Sequence, residues 1–377
     1  MREVYIVSDN IVSPVGNTSA DNFGNLVKGI SGIKLHDDTT LSAQPVYASL
    51  INKQLFNGKD NSYTKFEELL IASVKDALEK TEIKVDDKRT ALIISSTKGN
   101  ISLIESGKET KDLKERVSLG SSAKIVASHF NFVSQPIVVS HACISGLVAI
   151  ITGMRLLQSG KYDHAVVTGA DVITKFILSG FQSFQAISAE PCKPFDAKRN
   201  GITLGEGAAT VVLSVNKPIS GNTIKISGGA VSNDANHISG PSRTGEELYQ
   251  AISSAMKESG LGKDDIDFIS AHGTATVYND EMEAKAINLA GMEHVPLNSL
   301  KGYYGHTLGA AGLIETVISL YSLKENVVLP TPGYKVPGTA KPVNVVNSLK
   351  QGEMKACLKT ASGFGGCNAA IVLQKAV

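Results

Sequence analysis

The sequence predicts an α/β protein built from two similar halves. Short β-branched runs typical of strands alternate with longer periodic stretches typical of helices, a pattern that indicates mixed or parallel sheets covered by helices. An apolar helix pattern led by small residues, at 145–157, returns at 311–323, an offset of 166 residues. Such a repeat favours a duplicated fold whose paired helices pack near its centre. The simpler interpretation is that any two buried helices resemble each other this much.

The individual elements follow from local patterns. The clearest helix is 66–78, where apolar residues recur at helical spacing between charges. Helices are also predicted at 126–132 and 245–259, whereas 101–121 is charged and only weakly periodic. The predicted strands are 4–7, 91–95, 136–139, 164–171, a run ending at 213, 223–231, 266–270, 327–329 and 369–373. We place the boundary of the two halves so that they span residues 1–215 and 216–377.

Composition limits the classes of function. The net charge of +1 argues against nucleic acid as the main partner. None of the apolar runs approaches the roughly 20 residues of a membrane span, and residues 1–7 have the pattern of a strand and not of a signal peptide. The four cysteines lack C-x-x-C spacing, and no H-x-x-x-H pair exists, so neither a disulfide framework nor a metal site is expected. The expected location is the cytoplasm.

Cys143 is the first candidate for chemistry. It follows a strand pattern and stands at or just before the first turn of a predicted buried helix. Unpaired N–H groups and the positive end of a helix dipole would stabilise its thiolate, as suits a nucleophile. The alternative is an inert core cysteine.

Two histidines and one glycine-rich turn complete the pattern. His272 follows a strand, His306 precedes the repeated helix, and each is surrounded by small residues that allow a ligand to approach. A single such histidine would more often be structural, but two of them together with Cys143 favour a Cys/His/His site. The run 362–368 holds three glycines around Phe364, and its N–H groups could form an oxyanion hole with that of Cys143. Glycine-rich hairpins are common, so this last motif is weak by itself.

Ordered motifs extend from one end of the chain to the other. They are S-P at 13–14 with G-I at 32–33, A-C-I-S-G at 142–146, P-F-D-A-K-R-N-G-I-T-L-G-E-G-A from 194, N-D-A-N-H-I-S-G-P at 233–241, H-G-T-A-T-V-Y-N-D-E-M-E at 272–283, K-G-Y-Y-G-H-T-L-G-A-A-G at 301–312 and G-F-G-G-C-N at 363–368. In this order the chain resembles the β-ketoacyl-acyl-carrier-protein synthases, elongating condensing enzymes of the thiolase superfamily. The resemblance implies a thiolase-like duplicated α/β/α/β/α fold of five layers with two pseudo-symmetric halves.

The resemblance also implies catalytic roles. Cys143 would take an acyl group from a carrier-protein thioester. His272 and His306 would hold the malonyl thioester carbonyl while carbon dioxide departs, and the carbanion would then attack the acyl group to give a 3-oxoacyl thioester. Lys301 matches the lysine that supports the second histidine, with Glu283 as its expected ion partner, although the two could simply be a buried structural pair.

Binding roles and partners follow from the same resemblance. Thr274 and Thr276 match the hydroxyls that bind phosphopantetheine, and Phe364 matches the gating aromatic residue whose N–H is the second oxyanion donor. The implied partners are an acyl carrier protein and small acyl and malonyl thioesters. No cofactor of the chain's own is expected, because the carrier protein brings the phosphopantetheine. A homodimer is expected, and a heterodimer with a homologue is allowed.

Two alternatives remain open. A thiolase acting on coenzyme A thioesters would need a second cysteine near the C-terminus, for which Cys367 is the candidate in an unsuitable G-G-C-N context. The other alternative is a subunit of a ketosynthase/chain-length-factor pair. The chain is shorter than typical members and departs from their pattern at 101–133, so the acyl-chain length and the pathway, fatty acid or polyene and polyketide, stay open.

Overall fold

The computed structural model of the protein describes residues 2–52, 63–105, 112–218, 223–235 and 240–376. The helices in these ranges are α1 (Ser19–Val27), α2 (Lys65–Glu79), α3 (Ser102–Glu105), α4 (Leu113–Val117), α5 (Leu119–Phe130), α6 (Ser145–Gln158), α7 (Lys175–Ser183), α8 (Glu246–Ser259), α9 (Val277–Leu289), α10 (Lys301–Tyr304) and α11 (Ala311–Glu325). The strands are β1 (Tyr5–Val12), β2 (Lys34–His36), β3 (Val46–Ser49), β4 (Thr90–Ser95), β5 (Ile137–Val139), β6 (His164–Asp171), β7 (Leu204–Gly205), β8 (Gly207–Ser214), β9 (Ile224–Asn233), β10 (Phe268–Ser270), β11 (Pro296–Asn298), β12 (Val327–Val328), β13 (Asn344–Val345), β14 (Lys350–Gln351), β15 (Ala356–Gly363) and β16 (Cys367–Lys375).

One large sheet organises the molecule, and its strand pairings follow a similar pattern on the two sides of a central junction. The order is β13-β11-β10-β15-β16-β9-β1-β8-β6-β4-β5. Outward from the β9/β1 junction, each side has two successive antiparallel pairings, and the strands beyond them pair in parallel. The junction itself is a short antiparallel pairing of Tyr5 with Lys225 and Ile6 with Ile224. The two-half architecture predicted from the sequence is therefore confirmed.

The repeated helices lie together in the main core. α6 and α11 begin at Ser145 and Ala311, which reproduces the offset of 166 residues seen in the sequence. Both are mostly buried, and their backbones approach closely because glycines face each other: a Cβ on Gly146 would lie 2.9 Å from the Leu313 nitrogen, and one on Gly312 would lie 2.8 Å from the Leu147 nitrogen. Each helix follows a segment that carries a predicted catalytic residue, so this contact brings the two halves of the site together.

Several predicted elements match the structure closely. The helix predicted at 66–78 is α2, whose first turn is closed by reciprocal hydrogen bonds between Thr64 and Glu67. The strand predicted at 164–171 is β6. Within the segment 327–329, Val327 and Val328 pair with β14 in a separate two-stranded sheet and not in the large sheet.

Other elements were missed or misplaced from sequence. α5 begins at Leu119, seven residues earlier than expected, since small residues fill its first turns instead of a strong apolar stripe. β15 was not predicted, because its sequence ACLKTASG is poor in β-branched residues and carries a lysine at its centre. α9 was missed because its buried face includes the carboxylates Asp280 and Glu283. Within the divergent 101–133 region, residues 106–111 lie outside the described residues.

Among the described helices, none combines the length and the apolar character needed to cross a bilayer.

Candidate active site

Cys143 lies in a sharp turn between β5 and α6. The Ser145 hydroxyl donates to the Ala142 carbonyl (2.6 Å) and accepts from the His141 N–H (2.7 Å), which ties the turn together. Ala142 has a φ of 45°, a strained left-handed conformation that non-glycine residues adopt rarely. The strain presents the Cys143 side chain to a cavity, while the residue itself stays largely buried.

The acidity of this thiol differs from the sequence-based expectation. α6 begins at Ser145, so Cys143 stands two residues ahead of the helix. Burial raises the pKa of the Cys143 thiol to about 11, and the Lys301 charge and the Phe364 N–H oppose this shift only in part. Burial therefore acts against the thiolate that the sequence predicts, and the nearby positive groups offset it only in part.

His272 follows β10, and its backbone is held by a buried carboxylate. Glu283 on α9 accepts the N–H groups of His272 and Gly273, each at 2.8 Å, and the hydroxyl of Thr360 at 2.7 Å. Gly273 has a φ of 43°, and a Cβ there would lie 2.6 Å from the Ser299 Cβ, so only glycine fits this turn. Glu283 thus fixes the position of the backbone that carries the imidazole of His272.

His306 precedes α11, and its tautomer is set by one hydrogen bond. Its backbone N–H donates to the Thr203 carbonyl at 2.6 Å, and Gly305 before it has a φ of 66°. The Nδ1 atom accepts the Leu308 N–H at 3.3 Å. Because an accepting Nδ1 carries no proton, the neutral ring has its proton on Nε2, where it can be donated to a ligand.

The two imidazoles are neighbours and both are neutral. Their ring centroids lie 5.2 Å apart at an interplanar angle of 83°. Burial lowers the pKa of each well below 6.5, and the positive charges of Lys301 and Lys359 lower it further. Each ring therefore offers one N–H donor and no net charge at neutral pH.

The ion pairing of Lys301 corrects the prediction. The Lys301 Nζ contacts Glu315 on α11, and Glu283 instead accepts the backbone N–H groups described above. Lys359 is a second ammonium at 2.8 Å from the other oxygen of Glu315. Glu283 is already occupied by three donors, so it has little capacity to bind a distant lysine. Lys301, Glu315 and Lys359 form a buried charged cluster behind the histidines.

A cavity of about 490 Å³ connects the predicted residues. Cys143, His272 and His306 line it together with Thr274 and Thr276. The two threonine hydroxyls lie 3.0 Å apart, and Thr276 also caps α9 by accepting the Asn279 N–H. Lys301 and Glu283 are not among the lining residues and lie behind the histidines.

Phe364 stands at the opening of this cavity. Its ring is 39% exposed and stacks on Phe181 with centroids 5.8 Å apart, while Phe184 packs edge-on at 5.7 Å. Its backbone N–H makes a hydrogen bond to the Cys143 thiol. A Cβ on Gly363 would lie 3.0 Å from the Cys143 nitrogen, so the glycine turn lies directly against the nucleophile's backbone.

The sequence did not identify three residues of this region. Asp171, at the end of β6, accepts the Gly309 N–H at 2.7 Å and the Ser96 hydroxyl at 2.7 Å, which joins the two halves beside the site. Glu315 and Lys359 belong to the charged cluster. The available signal was a charged residue inside an otherwise apolar run, which both Glu315 and Lys359 display.

Comparison with known families defines the class of the protein. The model of the beta-ketoacyl synthase N-terminal domain matches residues 1–217, and the model of the C-terminal domain matches residues 224–335. The chain belongs to the beta-ketoacyl synthase family and is a condensing enzyme of the acyltransferase type.

Named relatives cover the whole chain. The chain is 31% identical to 3-oxoacyl-[acyl-carrier-protein] synthase 2 of Vibrio cholerae, over 99% of each protein. It is 27% identical to the synthase 2 of Staphylococcus aureus, over 99% of this chain and 98% of the relative.

Solved structures confirm the thiolase-like fold. A chain in the complex of a ketosynthase with its chain length factor from Xenorhabdus doucetiae superposes with a TM-score of 0.86 at 26% identity, covering 100% of this chain and 98% of that one. A beta-ketoacyl synthase from Burkholderia phymatum gives a TM-score of 0.88 at 22% identity, with both chains fully covered.

Proposed function

We propose that the protein is a 3-oxoacyl-[acyl-carrier-protein] synthase that carries an acyl group on Cys143 and condenses it with a malonyl group. The observation that carries the proposal is the convergence of Cys143 and two neutral imidazoles on one cavity. A neutral N–H donor can stabilise a developing enolate oxygen without giving up its proton.

The first step is acyl transfer. The Cys143 sulfur attacks the carbonyl carbon of an acyl thioester, and the bond to the phosphopantetheine sulfur breaks. The proton of the Cys143 thiol leaves with the departing phosphopantetheine thiol, so a thioester and a thiol are both conserved. The N–H groups of Cys143 and Phe364 stabilise the oxyanion formed on the way.

The second step is decarboxylation. The thioester carbonyl of the malonyl group accepts hydrogen bonds from His272 and His306, and Thr274 and Thr276 bind the phosphopantetheine arm. The bond between the malonyl α-carbon and the carboxylate carbon breaks and carbon dioxide leaves. The electron pair of that bond stays with the α-carbon and forms an enolate. The Nε2 proton of His306 supports this role, since its Nδ1 is occupied by the Leu308 N–H.

The third step is condensation. The enolate carbon attacks the acyl carbonyl on Cys143, and the tetrahedral intermediate expels the Cys143 sulfur, which takes a proton from solvent. The product is a 3-oxoacyl thioester on the carrier protein. Both histidines stay neutral throughout, in keeping with their lowered pKa values.

A direct assay tests this proposal. Incubation with acyl- and malonyl-carrier protein is expected to release carbon dioxide and a 3-oxoacyl product, and the acyl-enzyme is expected on Cys143 by mass spectrometry. Cys143→Ala is expected to abolish condensation, whereas Cys367→Ala, a matched buried cysteine, retains it. Undiminished condensation by Cys143→Ala contradicts the mechanism, and the mass of the trapped acyl group defines the chain length.

A thiolase activity is the second candidate, favoured by one observation. A Cβ on Gly363 would lie 3.0 Å from both the Cys143 nitrogen and the Cys367 sulfur, so the second thiol is near the nucleophile. Against it, Cys367 is buried, donates to the Phe364 carbonyl at 3.3 Å, and has its pKa raised to about 12, mainly by burial. Coenzyme-A-dependent cleavage of acetoacetyl thioesters that is lost in Cys367→Ala would establish this alternative.

The partners are an acyl carrier protein and a second synthase chain. The relatives are named for the carrier protein, and the Xenorhabdus ketosynthase was solved with a chain length factor. β5 is the outermost strand on its side of the sheet and is half-buried in the single chain, which supports pairing with a second copy at this edge. Light scattering of the purified chain is expected to give the mass of a homodimer. An inactive species that gains activity with a homologue would establish a heterodimer instead.

The cytoplasmic location stays a prediction. One relative, from Schizosaccharomyces pombe, is named as mitochondrial. Cell fractionation followed by immunodetection would decide between the compartments.

A further inference from the structure

We propose that Lys359 is a positioning residue for decarboxylation, holding the end of β10 in front of His272 and placing a second positive charge behind both histidines. The inference rests on the proposed function above, because it assigns Lys359 to one step of that reaction.

Lys359 has no access to solvent, and every donor of its ammonium group has a partner. It is 0% exposed. Its Nζ donates to the carbonyls of Thr360 (2.6 Å), Ser270 (3.1 Å) and Ala271 (3.4 Å). It also lies 2.8 Å from a carboxylate oxygen of Glu315. A buried ammonium is tolerated only with such a complete set of acceptors.

Two of these acceptors belong to the segment that positions His272. Ser270 and Ala271 immediately precede His272, and Ser270 pairs in parallel register with Lys359 across β10 and β15. On the other side, Glu283 accepts the N–H of His272 and the hydroxyl of Thr360, the residue after Lys359. The backbone at His272 is therefore held by an ammonium through its preceding carbonyls and by a carboxylate through its own N–H.

The charge of Lys359 is not cancelled locally. Lys301 and Lys359 share the single carboxylate of Glu315, and Glu283 is the next carboxylate within range. Burial and Lys301 lower the pKa of Lys359, while Glu315 and Glu283 oppose that shift. If packing alone were required at this central strand position, a methionine would fill it without any desolvation cost.

The histidines experience this charge directly. The groups facing them are Lys301 from α10, Lys359 from β15, Cys143 from the α6 side and each other, with Glu315 between the two lysines and Glu283 on the backbone of His272. Burial is the largest cause of the lowered pKa of both rings, and the two lysines act in the same direction. Removing the charge of Lys359 therefore raises the pKa of His272 and His306.

Lys359→Met tests the proposal, with Lys355→Met as control. Methionine keeps the approximate length of the side chain and removes its charge. Lys355 is an exposed lysine four residues earlier in the sequence. In Lys359→Met, the acidic limb of the decarboxylation rate is expected to move up by about one pH unit. The rate at pH 7.5 is expected to fall by about tenfold from displacement of His272. Acyl loading of Cys143 is expected to stay within about twofold of wild type, since it needs neither histidine. Lys355→Met is expected to match wild type throughout.

A merely structural lysine gives a different result. Equal losses in loading and decarboxylation, with an unmoved acidic limb, would overturn the proposal. Should Lys359→Met fail to fold, nitrogen-15 NMR of the wild-type lysine Nζ decides: an ammonium at neutral pH supports the proposal and a neutral amine overturns it.

The proposed function can fail separately. If wild type neither loads Cys143 nor releases carbon dioxide, the proposed reaction is wrong. Carbon-13 NMR titration of His272 and His306 in wild type and Lys359→Met still tests the electrostatic part, because a raised histidine pKa is expected whatever the substrate. An unchanged pKa overturns it.

Discussion

At the level of single residues, two carboxylates near the histidines have separate tasks. Glu283 accepts backbone N–H groups and fixes a turn, whereas Glu315 supplies the one carboxylate that two buried lysines share. The distinction matters because hydrogen-bonded backbone needs only an acceptor, while a pair of buried ammonium groups needs a negative charge.

Glu315→Gln is expected to destabilise the protein by about 3–5 kcal/mol, because it leaves two buried ammonium groups without a counter-charge. Glu79→Gln, which breaks the exposed pair with Lys75, is the control and is expected to change stability by less than about 0.5 kcal/mol. Urea unfolding measures both. Similar values for the two variants would show that the charge of Glu315 does not stabilise the buried lysines.

The neutral histidines give the protein a defined pH response. Since the pKa of His272 and His306 is lowered in the folded state, unfolded chains bind more protons than folded ones below about pH 6.5, and stability falls as the pH falls through that value. Each ring is expected to lower the free energy of unfolding by about 1.4 kcal/mol at about pH 5.5.

A double variant, His272→Asn with His306→Asn, tests this response. Between about pH 7.5 and about pH 5.5 it is expected to lose about 3 kcal/mol less stability than wild type, by the same linkage. Urea unfolding at the two pH values measures the difference. An identical pH dependence would mean that the rings are protonated in the folded state.

At the level of elements, the turn between β15 and β16 places the Phe364 N–H. Gly365 and Gly366 both have positive φ, 85° and 74°, but their surroundings differ. A Cβ on Gly365 meets open space, whereas one on Gly366 would overlap the Asp234 carbonyl.

Gly366→Ala is therefore expected to slow acyl loading of Cys143 by about tenfold or more, because the turn must shift away from the thiol. Gly365→Ala carries the same conformational strain without the overlap and is expected to slow it by less than about twofold. Mass spectrometry of the loaded enzyme over time measures both rates. Equal rates would show that strain alone, and not the position of the turn, controls loading.

The contact between α6 and α11 gives a second test at this level. A methyl group on Gly146 would press on the Gly309 carbonyl and the Leu313 nitrogen, each at 2.9 Å. Gly146→Ala is expected to lower stability by about 1–3 kcal/mol. Gly24→Ala, at an open position in α1, is expected to raise it by about 0.5–1 kcal/mol from helix propensity. Thermal and urea unfolding check both signs, and a stable Gly146→Ala would contradict the close approach.

Elements with a strong periodic pattern in their own residues could be predicted from the sequence. α2 and β6 were predicted within a residue or two because their apolar periodicity is strong. β15 escaped because its lysine is satisfied by partners remote in sequence, which no local pattern reports. For the same reason, Glu283 was assigned to Lys301, although Glu315 lies one helix turn beyond the repeat's glycines and makes that contact. Residue types could be predicted, whereas their pairing required the fold.

At the level of the whole molecule, the two halves share one core. Side chains from α6, such as Leu147 and Ile150, lie in the same cluster as Leu313 and Val317 from α11. Among the described residues, in contrast, the sheet joins the halves through two residue pairs. The proposed division into 1–215 and 216–377 therefore describes the architecture, and we do not expect either half to be stable alone.

Separated halves are expected to fail to fold alone. A fragment of residues 1–217 would expose the face of α6 that α11 covers, so we expect it to bind hydrophobic dye and to lack a cooperative unfolding transition. Co-expression with the remainder of the chain is expected to restore both folding and acyl loading. A cooperative, monomeric 1–217 fragment would instead identify it as a true domain.

The two outer strands of the sheet have a consequence for assembly. β13, at one end, pairs over two residues, while β5, at the other, has three residues and leads directly to the nucleophile's turn. If two copies join β5 to β5 about a twofold axis, this edge of the large sheet is covered on both chains. Growth then stops at two, and the result is a closed particle instead of a filament. Cys143 lies four residues beyond the end of β5 in its own chain, so a change of the chain paired at this edge is transmitted to the nucleophile's turn over that short connection.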